Sequence, residues 1–162
     1  MTPIDFRLLP VPGQELEQLA AGQLPARVFV EAAVPPAFVA LRALRHLAAG
    51  KPAHWCSTFY IVDTDQRVLG GCGFKDVPVA GQIEIGYALA PACRGQGLGK
   101  AVVAELLSIA FASDAVQRVL ACIVADNHAS IGVVRHHRFI RGECVVDEEG
   151  EAVWHWVRAR TP

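Results

Sequence analysis

Ile83-Glu84-Ile85-Gly86-Tyr87-Ala88-Leu89, running on through Ala90-Pro91-Ala92-Cys93-Arg94-Gly95-Gln96-Gly97-Leu98-Gly99-Lys100, is the stretch on which the fold reading rests. The first seven residues alternate β-branched with other side chains, the period of a strand. Pro91 ends the ladder because it has no backbone N–H to give. A turn with three glycines follows and leads into Ala101-Val102-Val103-Ala104-Glu105-Leu106-Leu107, which reads as a helix. Glycines leave the backbone N–H groups of the turn bare. The helix start adds unpaired donors and the positive end of the peptide dipoles. Together these make an anion seat.

Spacing decides which anion it is not. A P-loop needs glycine at position 94 and serine or threonine at 101, and the chain has Arg94 and Ala101. A dinucleotide fingerprint needs a third glycine at position 100, which is Lys100. Arg94-x-x-Gly97-x-Gly99 remains, with Arg94 and Lys100 able to add side-chain charge to the turn.

Composition limits the alternatives. With 162 residues the chain is expected to form one domain spanning 1–162. A hydrophobic share of 52% is that of a globular protein rather than a disordered one. Fifteen basic against sixteen acidic residues leave a net charge of -1, so a generic nucleic-acid binder is disfavoured. No apolar run is long enough for a membrane span, and Met1-Thr2-Pro3-Ile4-Asp5-Phe6-Arg7 lacks the basic-then-apolar build of a signal peptide. Cys56, Cys72, Cys93, Cys122 and Cys144 are odd in number and form no C-x-x-C pair. They read as free thiols in a reducing cytoplasm. No histidine pair has the i, i+4 spacing of a helical zinc site, so no metal is expected.

In chain order, 6–11 reads as a short edge strand, and 14–21 and 36–49 as helices. On the second helix Phe38, Leu41, Leu44 and Leu47 are expected to face the core, with Arg42, Arg45 and His46 on the other side. Residues 55–62 and 67–74 read as two strands around a polar loop, and with the central strand they form an antiparallel meander. His54 and Trp55, near the first of these, are candidates for the acceptor side or for ordinary packing. The helix after Lys100 runs to about 113 and carries apolar residues on two sides. The strand 118–125 is apolar throughout and can lie parallel to the central one, since a full helix separates them. Asn127 caps a helix over 128–137. A hairpin of 139–146 and 152–158 closes the chain, its second strand read as an edge that could pair across a homodimer. The elements make an α/β domain with a mixed sheet.

Several of these pieces are similar to one family. Arg94-x-x-Gly97-x-Gly99 resembles the acyl-CoA-binding motif of the GCN5-related N-acetyltransferases (GNAT). Phe6-Arg7-Leu8-Leu9-Pro10, Leu69-Gly70-Gly71-Cys72-Gly73-Phe74, Glu84-Ile85-Gly86-Tyr87 and Asn127-x-x-Ser130 with Phe139 resemble its RimJ/RimL-type branch. The resemblance covers most of the chain. It implies a three-layer α/β/α fold whose mostly antiparallel sheet splays at its two parallel strands.

The chain departs from the family at two points. Arg138 stands where many members have glycine, and in the left-handed position past a helix end it costs about 1 kcal/mol. Val134 occupies the place of a tyrosine that other branches use as general acid.

The implied activity is transfer of an acetyl group from acetyl-CoA to a primary amine, on a protein N-terminus or a small molecule, by direct transfer in a ternary complex. By resemblance, Arg94, Gly95, Gln96, Gly97, Leu98, Gly99 and Lys100 cradle the coenzyme A pyrophosphate. Leu89 offers its backbone N–H to the carbonyl oxygen. Asn127 and Ser130 contact the pantetheine arm, although an asparagine there is also a preferred helix cap. An amine must lose its proton before it attacks, and Glu84, on one strand face with Gly86 and Ala88, is the candidate base acting through water. A solvent-facing or salt-bridged carboxylate is the other reading of Glu84. An acyl-enzyme on Cys93 lacks a neighbouring base in sequence. Asp5, Glu31 and Asp76 are too scattered to mark a polyamine or aminoglycoside site. The rivals are a non-catalytic acyl-CoA-binding regulatory module and a nucleotide-binding regulator.

Overall fold

The computed structural model describes residues 3–162. Met1 and Thr2, the start of the segment inspected for a leader, lie outside them. The elements in order are β1 (Phe6–Pro10), α1 (Gly13–Ala20), α2 (Ala37–Ala48), α3 (Ala53–Cys56), β2 (Thr58–Asp63), β3 (Val68–Phe74), β4 (Gln82–Leu89), α4 (Leu98–Phe111), β5 (Arg118–Val124), α5 (His128–His136), β6 (Ile140–Val146) and β7 (Ala152–Ala159). The strands follow the order β1-β2-β3-β4-β5-β7-β6 in a mostly antiparallel mixed sheet. Among the strands of the described residues β4 and β5 form the parallel pair, which covers Gln82–Glu84 against Arg118–Leu120. The chain falls into two compact units, Met1–Val77 with Gly86–Leu98, and Pro78–Ile85 with Gly99–Pro162.

In the first unit, β1 pairs with β2 from Phe6 against Asp63 to Pro10 against Phe59. Pro10, which cannot donate, sits on the outermost strand. Tyr60, Ile61 and Val62 on β2 and Val68 on β3 are wholly buried, so β2 is covered on both of its faces. A half-buried polar cluster lies beside them. Arg27 grips Glu15 through two hydrogen bonds of 2.6 and 2.8 Å, and the Tyr60 hydroxyl donates to the same carboxylate at 2.8 Å. Those bonds satisfy a charge that burial would otherwise penalise. The Arg27 hydrogen bonds hold the Glu15 carboxyl below its ordinary value, and burial pushes the Tyr60 phenol up.

Two expectations for this unit are corrected. The buried residues of α2 are Ala40 and Ala43, while Phe38 and Leu41 are 57% and 48% exposed. Helix α2 packs on α1, whose buried residues are Leu16 and Leu19. Small alanines let two short helices approach closely, which the larger side chains would prevent. Of the stripe expected from sequence, Phe38 and Leu41 lie outside the core while Leu44 and Leu47 are half-buried. Likewise, Trp55 and Cys56 do not begin a strand. Pro52 starts a single helical turn in which Cys56 N–H donates to the Pro52 carbonyl at 3.1 Å, and β2 begins at Thr58. Trp55 is buried edge-on against Phe74, and exposed His54 makes an edge contact with its ring.

In the second unit, Val102, Val103, Leu106 and Ala110 bury one face of α4, and Leu107, Ile109 and Phe111 are half-buried. Arg160 reaches back to the end of that helix and donates to the carbonyls of Phe111, Ser113 and Val116 at 2.6 to 3.0 Å. It satisfies acceptors that any helix end leaves open. The expected edge strand 152–158 is not an edge. Strand β7 lies between β5 and β6, in register from Arg118 against Ala159 to Val124 against Val153. Val153 and Trp156, three apart and so on opposite faces, are both buried and the residues between them half-buried, as suits an interior strand covered on two sides. Pairing with a second copy through the hairpin would therefore use β6, where Ile140 and Val146 are 76% and 71% exposed.

Arg138 has φ 61, so it does occupy the left-handed region, where a side chain is costly. Its N–H donates to Arg135 and that of Phe139 to Val134, both at 3.0 Å, the paired bonds of a Schellman end. Buried Phe139 and Val134 are the residues that accompany such an end.

Candidate active site

The site begins where β4 ends. Ala90 N–H donates to the Leu69 carbonyl at 2.8 Å and carries the chain off the sheet. Pro91–Cys93 make one 3-10 turn, and Arg94 then extends. The Arg94 side chain folds back so that Nε donates to the Leu89 carbonyl at 3.1 Å. That bond pins the guanidinium at the strand end while the residue stays exposed. Gln96 is fixed in the same manner, its side-chain amide donating to Ala92 at 3.0 Å. Gly95 and Gly97 have φ of 74 and 80, which a residue with a Cβ adopts only under strain, and the space a Cβ would fill is open at both. Leu98 is buried and starts α4, with Gly99 buried and Lys100 exposed after it. The result is a bare backbone turn at a helix start with a cation beside it, a fitting cradle for a pyrophosphate.

A cavity of about 340 Å³ lies within the first unit and reaches this turn, since Leu89 and Arg94 are among its lining residues. Glycines open it. Gly71 and Gly73 on β3 and Gly86 on β4 all line it, so that part of its wall is backbone rather than side chain. A Cβ on Gly71 would come within 3.4 Å of Pro35, and one on Gly86 within 3.4 Å of Lys75 Cε. The segment before α2 and the α2 residues Phe38, Val39 and Arg42 supply the facing wall. Phe38 and Arg42, four apart, share a helix face, which is why Phe38 stays out of the core. Gly70 is different: a Cβ there would lie 2.1 Å from the Ala88 carbonyl oxygen, so its bareness lets β3 and β4 meet.

The charged residues lining the cavity are Arg42, Lys75 and Arg94, and among the described residues no carboxylate does so. Asp76, next to Lys75, is turned to other partners. Lys51 Nζ lies 2.7 and 3.0 Å from its two oxygens and His46 Nε2 lies 3.8 Å away. Despite burial, which raises it, these bonds and the Val77 N–H hold the Asp76 carboxyl low, so it stays ionised. Burial pushes the Cys56, Cys72 and Cys93 thiols up, which disfavours the thiolate form. All five cysteines are free.

The remaining sequence candidates lie in the second unit. Glu84 is half-buried, in register with Leu120, and is not among the residues lining the cavity. Asn127 caps α5, its side-chain oxygen accepting from Ser130 N–H at 3.1 Å, so capping is a role both residues fill. Val134 is wholly buried in this unit's core and offers no group for proton transfer. His137, one of the histidines set aside for lacking a zinc spacing, had no other role assigned from sequence. Its Nε2 is 2.7 Å from the Lys100 carbonyl, which can only accept, so that nitrogen carries the proton. Burial holds this imidazole below its usual value. Arg42, Lys75 and the β3 glycines were also missed as site residues. Interior strand glycines were the one signal available for them.

A mixed sheet with a single parallel pair, a glycine turn entering a helix and a cavity at the strand end define the class: an α/β enzyme that seats a phosphate-bearing cofactor. Residues 15–140 match the acetyltransferase (GNAT) domain model, and the chain belongs to that family. It is thus an acetyl-CoA-dependent acyltransferase, and the open cradle at Gly95 and Gly97 fits that cofactor.

Solved structures share the fold. RimL, a ribosomal L7/L12 α-N-protein acetyltransferase in complex with coenzyme A, is 18% identical with a TM-score of 0.67, over 97% of this chain and 96% of that one. The aminoglycoside acetyltransferase AAC(6')-Ib in complex with coenzyme A is 16% identical, with a TM-score of 0.68 over 96% and 95%. A dodecameric spermidine N-acetyltransferase from Vibrio cholerae is 13% identical, with a TM-score of 0.67 over 95% and 93%. Three different acceptors appear among them, and at such identities the likeness is one of fold. No curated protein matches the chain significantly.

Proposed function

We propose that the protein is an N-acetyltransferase acting on a primary amine by direct transfer in a ternary complex, within the RimJ/RimL-type branch. The observation that carries this reading is the Arg94–Gly97 turn, open on its Cβ side and adjoining a cavity that Leu89 and Arg94 also line. Acetyl-CoA supplies an acetyl group activated as a thioester.

The protein's own groups do the rest. Backbone N–H groups from Arg94 to Lys100 and the Arg94 guanidinium hold the pyrophosphate. The Leu89 N–H donates to the carbonyl oxygen, where negative charge develops. Glu84 accepts the amine's proton through water, from the strand face it shares with Gly86 and Ala88. Asn127 and Ser130, while capping α5, border the pantetheine arm. The raised Cys93 thiol supports direct transfer over an acyl-enzyme. Free, buried thiols support a cytoplasmic location, and the exposed edge of β6 is where a homodimer would form. Among the described residues no helix is long and apolar enough to cross a membrane.

The test is an equilibrium titration with acetyl-CoA, with ATP and NAD as controls, on wild type and Arg94→Ala. Binding selective for acetyl-CoA and weakened about tenfold or more without Arg94 is expected, given about 1.5–3 kcal/mol for a charge-assisted hydrogen bond. Equal binding of all three ligands would remove the reading. For Glu84, the Gln variant should lose the alkaline rise of rate with pH, and an unchanged profile would reassign it.

A further inference from the structure

We infer that His137 is a positioning residue for acetyl-CoA: it holds the first turn of α4 and takes up a proton when the cofactor's phosphates settle there, so that affinity rises as pH falls through neutrality. The inference rests on the acetyltransferase reading and adds a pH dependence to its cofactor site. The residues concerned, Lys100, His136, His137 and Arg158, all lie in the second unit.

Half-buried His137 closes α5, and its Nε2–H donates to the Lys100 carbonyl at 2.7 Å, 37 residues away in sequence. Lys100 stands in the first turn of α4, where the cradle runs into the helix. One imidazole thus ties the end of one helix to the start of another. Moving it moves the backbone donors that would face an anion.

Positive charge gathers around this ring. The groups facing it are His136 from its own helix end, Arg158 from β7 and Lys100 from α4. Attraction to the negative end of α5 accounts for His136. It does not account for Lys100, a cation at the positive end of α4 in a turn with no acidic residue. Among the described residues, none of these four side chains is ion-paired with a carboxylate. Burial first, and then the neighbouring charges, hold His137 below its ordinary value against the pull of the Lys100 carbonyl, so the free protein keeps it largely neutral at pH 7. An anion on the first turn of α4 offsets those charges and favours the imidazolium. The proton is then held more tightly in the complex than in the free protein. Affinity therefore increases as pH falls through the midpoint of the complex, and levels off below that of the free protein.

The experiment follows the His137 imidazole by NMR from about pH 8.5 to 5, with and without saturating acetyl-CoA, its signal identified by its absence from His137→Gln. Loading should raise its proton affinity about threefold to tenfold, as expected for a phosphate near a half-buried ring. Equilibrium titrations with acetyl-CoA should match this, the wild type gaining about threefold to tenfold over His137→Gln between about pH 8.5 and 5.5. Glutamine keeps a donor for the Lys100 carbonyl and cannot titrate, and protonation of the ligand's own phosphates cancels between the two proteins. His137→Leu loses the donor as well, and should bind about threefold to tenfold more weakly than His137→Gln at pH 8.5, the worth of one hydrogen bond. The same midpoint with and without acetyl-CoA, parallel pH profiles for wild type and the glutamine variant, or a leucine variant that binds as tightly as the glutamine one would each overturn the inference. Wild type that binds no acetyl-CoA at any pH would instead strike the acetyltransferase reading.

Discussion

Arg138 offers a measurement in which the backbone contribution can be isolated. It occupies the left-handed position after α5, at φ 61, with the two hydrogen bonds of a Schellman end formed around it. A side chain there costs about 1–2 kcal/mol, and glycine removes that cost. Glycine also gives the unfolded chain more freedom, which takes back about 0.4–1 kcal/mol. Losing a cation at a helix C-terminus costs about a further 0.3–1 kcal/mol. The informative comparison is therefore Arg138→Gly against Arg138→Ala, since both lose the charge and only alanine keeps the strain.

The glycine variant should be the more stable by about 0.5–1 kcal/mol. Over 162 residues, an unfolding entropy of about 2 cal/mol/K per residue converts 1 kcal/mol into about 3 °C of Tm. Thermal melts and urea titrations at equal protein concentration would read the difference, with unchanged m-values. Superimposable curves, or an alanine variant more stable than the glycine one, would refute the reasoning about the backbone.

Glu15→Gln leaves Arg27 without its ionic partner and should destabilise by about 1–3 kcal/mol at pH 7. Because the Arg27 hydrogen bonds lower the folded-state value of Glu15, its stabilisation is complete above the ordinary value of 4.5 and is lost as pH falls below it. Denaturant midpoints followed from pH 7 to 3 should thus decline less steeply in the variant. Parallel declines would mean that Glu15 titrates alike in both states. Gly70→Ala would put a Cβ 2.1 Å from the Ala88 carbonyl oxygen, a backbone atom with no rotamer to escape into. We expect a loss above about 3 kcal/mol or failure to fold, whereas Gly97→Ala, with open space at its Cβ, should lose only about 1 kcal/mol. Expression and melts of the two decide it, and a well-folded Gly70→Ala protein would contradict the described contact.

What the sequence determined by itself was local. The Arg94–Lys100 turn, the Asn127 cap and the parallel β4–β5 pair all depend on residues a few positions apart or on one connection length. Backbone sterics and dipoles act at that range, so a string of residue types carries them. The tertiary structure decided everything that needed a distant partner. Which stripe of α2 faces inward depended on what α1 could accommodate, so Ala40 and Ala43 took the place expected for Phe38 and Leu41. The Glu15–Arg27–Tyr60 cluster and the Arg160 grip on the end of α4 join residues up to 49 apart in sequence. The position of β7 between β5 and β6, and the cavity opened by Gly71, Gly73 and Gly86, are of the same kind. Periodicity reports that a residue is apolar or bare, and packing alone determines what lies opposite it.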